Sequence, residues 1–139
     1  DYNNIYKFKK NISINYQNDG KSEYLINGIE NRIEQIVANL LDNSISFSED
    51  GSEVIVNVSN GLEKKVIVKI LDEGQGFKEK DTSKIFNRFY SNRPENFGEH
   101  SGLGLNIVKN LVELHDGKIE ASNRLDKQGA LIEIKFPSL

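Results

Sequence analysis

Glu53-Val-Ile-Val-Asn-Val-Ser-Asn-Gly-Leu-Glu-Lys-Lys-Val-Ile-Val-Lys-Ile-Leu-Asp-Glu-Gly-Gln-Gly-Phe77 contains two runs rich in β-branched residues with a turn signal between them. Val54, Val56 and Val58 fall on one face of the first run, Asn60-Gly61 is a strong hairpin signal, and Lys65 to Leu71 reads as the returning strand. A hairpin makes its two strands antiparallel without any crossover helix. Directly after the second strand comes Asp72-Glu-Gly-Gln-Gly76, which fixes a carboxylate at a strand end beside two glycines that free the backbone to bend or to approach a ligand closely.

Working outward, Ile12, Ile14 and Tyr16 alternate with polar neighbours, which predicts a strand buried on one face. Asn18-Asp19-Gly20 turns the chain, and Tyr24 to Ile26 reads as a second short strand. Beyond the central hairpin, Lys84 to Tyr90 predicts a short helix with Ile85, Phe86 and Phe89 on its apolar side. Residues 91–101 are polar, contain Pro94 and Gly98, and suit a loop. Leu105, Val108, Leu111, Val112 and His115 recur at helical spacing, with Asp116-Gly117 as the stop. Ile119 to Ser122 and Ala130 to Phe136 form a last hairpin across Asp126 to Gly129. Hairpins outnumber crossovers, so the expected fold is a two-layer α/β (α+β) sandwich: a mixed, mainly antiparallel sheet with its helices on one face, and not a doubly wound fold.

The longest helical pattern is Arg32 to Phe47. Ile33, Ile36, Val37, Leu40 and Leu41 make its buried stripe. At about 100° per residue, Arg32, Asn39, Asn43 and Ser46 share a sector roughly opposite. Asn39 and Asn43 stand one turn apart, so their amides can meet one bound group, each with a carbonyl oxygen and an NH2. An Asn pair on a helix is more commonly a solvated polar face, and the pair alone decides nothing.

Composition sets the outer limits. A chain of 139 residues is most simply one domain, residues 11–139, with residues 1–10 as a loosely packed lead-in. The absence of cysteine excludes disulfides and thiolate metal sites and is compatible with a cytoplasmic setting. A formal charge of −3 without a dense basic block argues against nucleic acid as the main partner. No run of about 18 apolar residues exists to span a membrane, and no direct membrane contact is expected. The sequence has no methionine and reads as a segment of something longer.

Gly102-Leu103-Gly104-Leu105 opens the second long helix. A dinucleotide fingerprint would need a strand immediately before it inside a parallel βαβ unit, and a polar loop stands there instead. Glycines at a helix N-terminus still matter, because free N–H groups and the helix dipole favour an anion such as a triphosphate. No Gly-x-x-x-x-Gly-Lys-Ser/Thr loop is present, which excludes a P-loop NTPase.

Asn39 and Asn43, then Asp72-x-Gly-x-Gly76, then Phe86 and Phe89, then Gly102-x-Gly104 resemble, in that order and at those separations, the N box, first glycine box, F box and second glycine box of the sensor histidine kinase ATP-binding domain. That domain has the Bergerat fold, shared with type II topoisomerases, the Hsp90 chaperones and the mismatch-repair protein MutL. The resemblance covers residues 12–136. Phe86-Asn-Arg-Phe-Tyr and Ser101-Gly-Leu-Gly-Leu-Asn-Ile-Val point to the histidine kinase branch, and Asn92-Arg-Pro-Glu-Asn-Phe-Gly-Glu-His is similar to the loop of alphaproteobacterial envelope-sensing kinases.

The resemblance implies ATP and Mg2+ as cofactors. It implies that Asn43 gives its amide oxygen to Mg2+, that Asn39 meets the phosphates or completes the metal's surroundings, and that Asp72 accepts a hydrogen bond from the adenine amino group. Gly74 and Gly76 would bring the backbone close to the nucleotide; Gly102, Leu103, Gly104 and Leu105 would form the hinged helix tip over the phosphates. Many members carry Lys or Arg, then Tyr, where this chain has Ser46 and Phe47. Phe47 can lie against the base, while the phosphate charge falls to Arg88, Arg93 or Lys109. Hydrolytic relatives have a water-activating Glu at the position of Asn39, whose amide is no base at neutral pH; this favours phosphoryl transfer. His100 and His115 both read as something other than the acceptor. The implied partners are a histidine-bearing dimerisation domain of the same protein and a response regulator, with the parent membrane-anchored. The alternatives are an ATP-sensing module without transfer and a serine-directed anti-sigma kinase on the same fold.

Overall fold

The computed structural model describes residues 11–20, 24–78, 81–87 and 104–139. Its sheet has five strands: β1 (Ser13–Gln17), β2 (Glu53–Gly61), β3 (Lys65–Leu71), β4 (Lys118–Asn123) and β5 (Ala130–Pro137). They lie in the order β1-β2-β3-β5-β4, with β1 parallel to β2 and every other pair antiparallel. Two α-helices, α1 (Glu30–Phe47) and α2 (Leu105–Leu114), and a 3-10 helix, Thr82–Phe86, complete the described elements. The mixed, mainly antiparallel sheet is the one expected.

Alternation within the strands sets the core. Val56 pairs with Ile70, Ile70 with Ile132, and Ile132 with Ala121, so one row of side chains crosses four strands on one face. Ile36 and Leu40 of α1 and Val108 and Val112 of α2 close over that face, and all four are fully buried. Their spacing of four residues is what puts each pair on one side of its helix. Burying each such side chain stabilises the fold by roughly 1.5–3 kcal/mol.

Four elements of the fold depart from the sequence expectations. β1 forms at one edge of the sheet, and Ile14 and Tyr16 are 50% and 64% exposed there. Tyr24 to Ile26 contributes a single bridge, Ile26 to Ser138, in place of a strand. Asn60 and Gly61 remain in β2, paired with Val66 and Lys65, and the turn is made by Leu62 to Lys64 with Glu63 and Lys64 at φ 60° and 56°. Gly61 is kept there by crowding, since a Cβ would run into the Ile67 side chain. The helix expected over 84–90 is the 3-10 segment Thr82–Phe86, started by the Asp81 carboxylate, which accepts the Ser83 N–H, and ended by Asn87 in extended backbone. Ile85 and Phe86 are buried as expected; Phe89 lies outside the described residues.

Candidate functional site

β3 hands the chain to Asp72, which is 4% exposed. Its Oδ1 accepts two backbone N–H groups, from Gly74 at 2.9 Å and from Ala130 at 3.0 Å. Its own N–H donates to the Ala130 carbonyl at 3.0 Å. Oδ2 accepts no hydrogen bond among the described residues. Burial pushes the carboxyl above its ordinary value of 3.8, while the two N–H donors and the Arg124 guanidinium pull the other way. A buried carboxylate with one oxygen held and one unpaired is an acceptor that a ligand N–H can satisfy.

The loop after Asp72 lies against the end of α1. A Cβ on Gly74 would meet the Phe47 main-chain carbonyl, so glycine permits that approach. Gly76 has φ 77° and lies against the Asn123 side chain. Phe47, the last residue of α1, thus joins the loop to the helix that carries Asn39 and Asn43.

Both asparagines are half-buried. The Asn39 NH2 donates to the Gln35 carbonyl at 2.7 Å, which leaves its Oδ1 as an acceptor. The Asn43 amide makes no side-chain hydrogen bond among the described residues. Ser46 does not share their polar sector: it is 2% exposed, and its hydroxyl donates to the Asn43 carbonyl at 2.7 Å. Ser44 and Ser48 are buried too, and the Ser48 hydroxyl donates to the Ser44 carbonyl, so the hydroxyls of Ser46 and Ser48 both find acceptors on the main chain of their own helix.

Gly104 is the N-cap of α2 and has no side chain to cap it; Leu105 packs on the core. At the other end of α2, His115 is 8% exposed, with Nδ1 2.8 Å from the Leu111 carbonyl and Nε2 accepting the Ile29 N–H at 3.0 Å. The acceptor role of Nε2 puts the proton on Nδ1. Its ring meets Phe136 edge to face. His115, which the helical spacing places in line with Leu111, is thus a packed, hydrogen-bonded imidazole. It ties the end of α2 to the start of α1, so Gly104 and the Asn39–Asn43 turn both lie away from that bond. A hollow of about 430 Å3 at the tied end, lined by Asn27, Ile29, Leu114 and Leu139 among others, contains none of the predicted site residues.

Lys109 is half-buried in α2. Arg88, Arg93, His100, Gly102 and Leu103 lie outside the described residues. The expected metal role rests on the Asn43 oxygen, and no group of three His, Cys, Asp or Glu able to hold a metal occurs among the described residues.

No local pattern points to Ala130, Asn123 or Arg124 as residues of this site. Asn123 clamps Phe77, accepting its N–H at 2.6 Å and donating to its carbonyl at 3.0 Å. Arg124 donates to the Asp72 main-chain carbonyl at 3.1 Å. These contacts depend on β5 lying beside β3, with Leu71 paired to Leu131, a register that no local motif announces.

A five-stranded mixed sheet, helices on one face, a buried Asp at the exit of β3 and an asparagine-bearing helix against the loop that follows define a Bergerat-type domain. Residues 28–139 match the family model described as histidine kinase-, DNA gyrase B- and HSP90-like ATPase. The chain belongs to that family. It is 39% identical over 135 residues to the sensor protein ChvG of Agrobacterium fabrum, covering 92% of this chain and 22% of that protein. Among solved structures it superposes on the mycobacterial sensor histidine kinase MprB with a TM-score of 0.78 at 24% identity, covering 98% of this chain and 88% of that one. It matches full-length ShkA in complex with AMPPNP with a TM-score of 0.74 at 26% identity, covering 91% and 25% of the two chains. The chain therefore spans about a fifth of the length of ChvG. No helix among the described residues is long and apolar enough to cross a membrane.

Proposed function

We propose that this chain binds Mg-ATP and passes the γ-phosphoryl to a histidine on a separate dimerisation domain of the same parent, from which a response regulator receives it on an Asp. Residues 11–139 would be the catalytic domain, on the cytoplasmic side of a membrane-anchored parent. The observation that carries this reading is Asp72: buried, with Oδ1 tied to two N–H groups and Oδ2 without a donor among the described residues. The adenine 6-amino group is such a donor, and guanine presents a carbonyl there instead.

The other roles follow from donor chemistry. The Asn43 amide, unengaged among the described residues, offers the hard oxygen that Mg2+ takes, and a metal that keeps several waters and rides on phosphates needs no protein cage. When bound, the metal neutralises phosphate charge. Asn39 Oδ1, one turn earlier, can accept from a metal-bound water. The uncapped N-terminus of α2 at Gly104 favours phosphate, with Arg88, Arg93 and Lys109 as candidate cations. Asn39 is no base, so attacking water is not activated there, and the nucleophile comes from the acceptor. His115 is not that acceptor, because both its nitrogens are engaged.

One observation favours a second reading, ATP sensing without transfer: Ser46 stands buried where many relatives carry a phosphate-binding cation. Incubating a longer chain that includes the preceding dimerisation helices with γ-labelled ATP separates the possibilities. Acid-labile, alkali-stable label supports phosphohistidine; acid-stable label indicates the serine-directed kinase. Binding without label indicates the sensing module.

A further inference from the structure

We propose that Arg124 is a positioning residue for Asp72, and that the loop between β4 and β5 is the scaffold on which adenine selectivity is built. The proposal rests on the reading that Asp72 accepts the adenine amino proton.

The Arg124 side chain is 3% exposed, and its donors are shared between two partners. Nε and Nη2 donate to the two oxygens of Asp126 at 3.0 and 2.8 Å, the fork geometry that holds a guanidinium plane in one orientation. So oriented, Nη1 donates to the Asp72 main-chain carbonyl at 3.1 Å. The Arg124 N–H donates to the Gly129 carbonyl at 2.9 Å, which closes the loop on itself. Ala130 follows at once with the N–H that holds Asp72 Oδ1. Asp72 is thereby fixed at its carbonyl by Arg124 and at its carboxylate by the residue after Gly129.

The same loop and the last residue of β4 hold the rest of the Asp72–Phe77 segment. Lys127 Nζ lies 3.1 Å from Glu73 Oε2, while Glu73 Oε1 accepts the Glu53 N–H at 2.7 Å. Asn123 clamps Phe77 through both of its amide atoms. Lysine would keep the charge of Arg124 but could not bond both Asp126 oxygens and the Asp72 carbonyl from one plane. Misplacing Oδ2 would cost the ligand one hydrogen bond and leave its phosphate contacts alone, so the role predicts a loss of discrimination beyond any loss of affinity.

The test compares Mg-ADP with the Mg-diphosphate of purine riboside, which lacks the 6-amino group, by titration calorimetry on the 139-residue chain. In the unaltered chain ADP is expected to bind at least tenfold more tightly. Arg124→Gln should reduce that preference about fivefold to tenfold, with the purine riboside affinity little changed, and Arg124→Lys should recover part of it. An Arg124→Gln chain with native circular dichroism and the full preference for ADP overturns the proposal. Should Arg124→Gln fail to fold, Asp126→Asn leaves the guanidinium in place and loosens its plane; an undiminished preference there overturns it equally. An unaltered chain that binds both ligands alike, or neither, refutes instead the assignment of Asp72 to adenine.

Discussion

Asp72→Asn changes one atom at the centre of the proposed site. In the folded chain Oδ1 can keep both N–H partners, from Gly74 and Ala130, after the substitution. The atom that changes is Oδ2, which becomes an NH2 and would face the adenine amino group donor to donor. A hydrogen bond to a charged acceptor is worth about 1 to 3 kcal/mol, so ADP affinity should fall by about 5-fold to about 150-fold. Stability should move the other way or not at all. Burial raises the Asp72 carboxyl above 3.8, so its favourable contribution to folding is complete below that pH and is lost as pH rises through the folded-state value. At neutral pH the buried charge is a cost, and Asn removes it. Binding needs the ionised form, so ADP affinity of the unaltered chain should fall on acidification before the ordinary carboxylate range is reached, and the variant should lack that step. Calorimetry with ADP across pH, paired with thermal melts, reads both quantities. Unchanged affinity in the variant, or a loss matched by a lower melting temperature, would refute the role given to Oδ2.

Asn43→Ala should abolish phosphotransfer in a longer chain while leaving metal-free ADP binding within about twofold, since a metal ligand and not a base contact is removed; retention of transfer on a labelled gel would contradict it. His115→Ala should destabilise the fold by about 2–4 kcal/mol, because it empties a buried ring position and strands the Ile29 N–H and the Leu111 carbonyl. Well below its melting temperature the same variant should bind ADP normally and still allow phosphorylation of the longer chain. Gly61→Ala should cost about 1–3 kcal/mol in denaturant titration as Ile67 is displaced, with ADP affinity unaltered.

How much of this was legible depended on the range of the interaction. α1 and α2 could be read because their apolar positions repeat within a few residues, and Ile36, Leu40, Val108 and Val112 are buried as the period requires. The central hairpin was legible as two strands, yet its turn was misplaced by about two residues, because Asn60-Gly61 carries the local signature of a hairpin turn while the pairing extends through Gly61 to Lys65. Periodicity likewise predicts that Ile14 and Tyr16 share a face but not that their strand lies at the sheet edge. Asp72, Gly74 and Gly76 were visible as a motif. Arg124 and Asn123 were not, since their partners are 52 and 46 residues distant in sequence and meet them only through sheet order. Ser46 was assigned to the polar sector by helical angle, and the structure buries it because a hydroxyl bonded to the Asn43 carbonyl can sit where a cation could not.

The two halves of the proposed site are prepared differently, and the difference bears on how a nucleotide would be bound. On the base side Asp72 is held at its N–H, its carbonyl and one carboxylate oxygen, each by a different group of the β4–β5 region, so little freedom remains to be lost when a donor reaches Oδ2. On the phosphate side the Asn43 amide is unengaged among the described residues, Asn39 is held through its NH2 alone, and the start of α2 is uncapped. Recognition of the base can therefore be rigid, while the metal and phosphate contacts are completed by what the ligand brings. The proposed phosphoryl transfer would gain from that division, because adenine would fix one end of the nucleotide while the γ-phosphoryl at the other end must still be presented to an acceptor on a different domain.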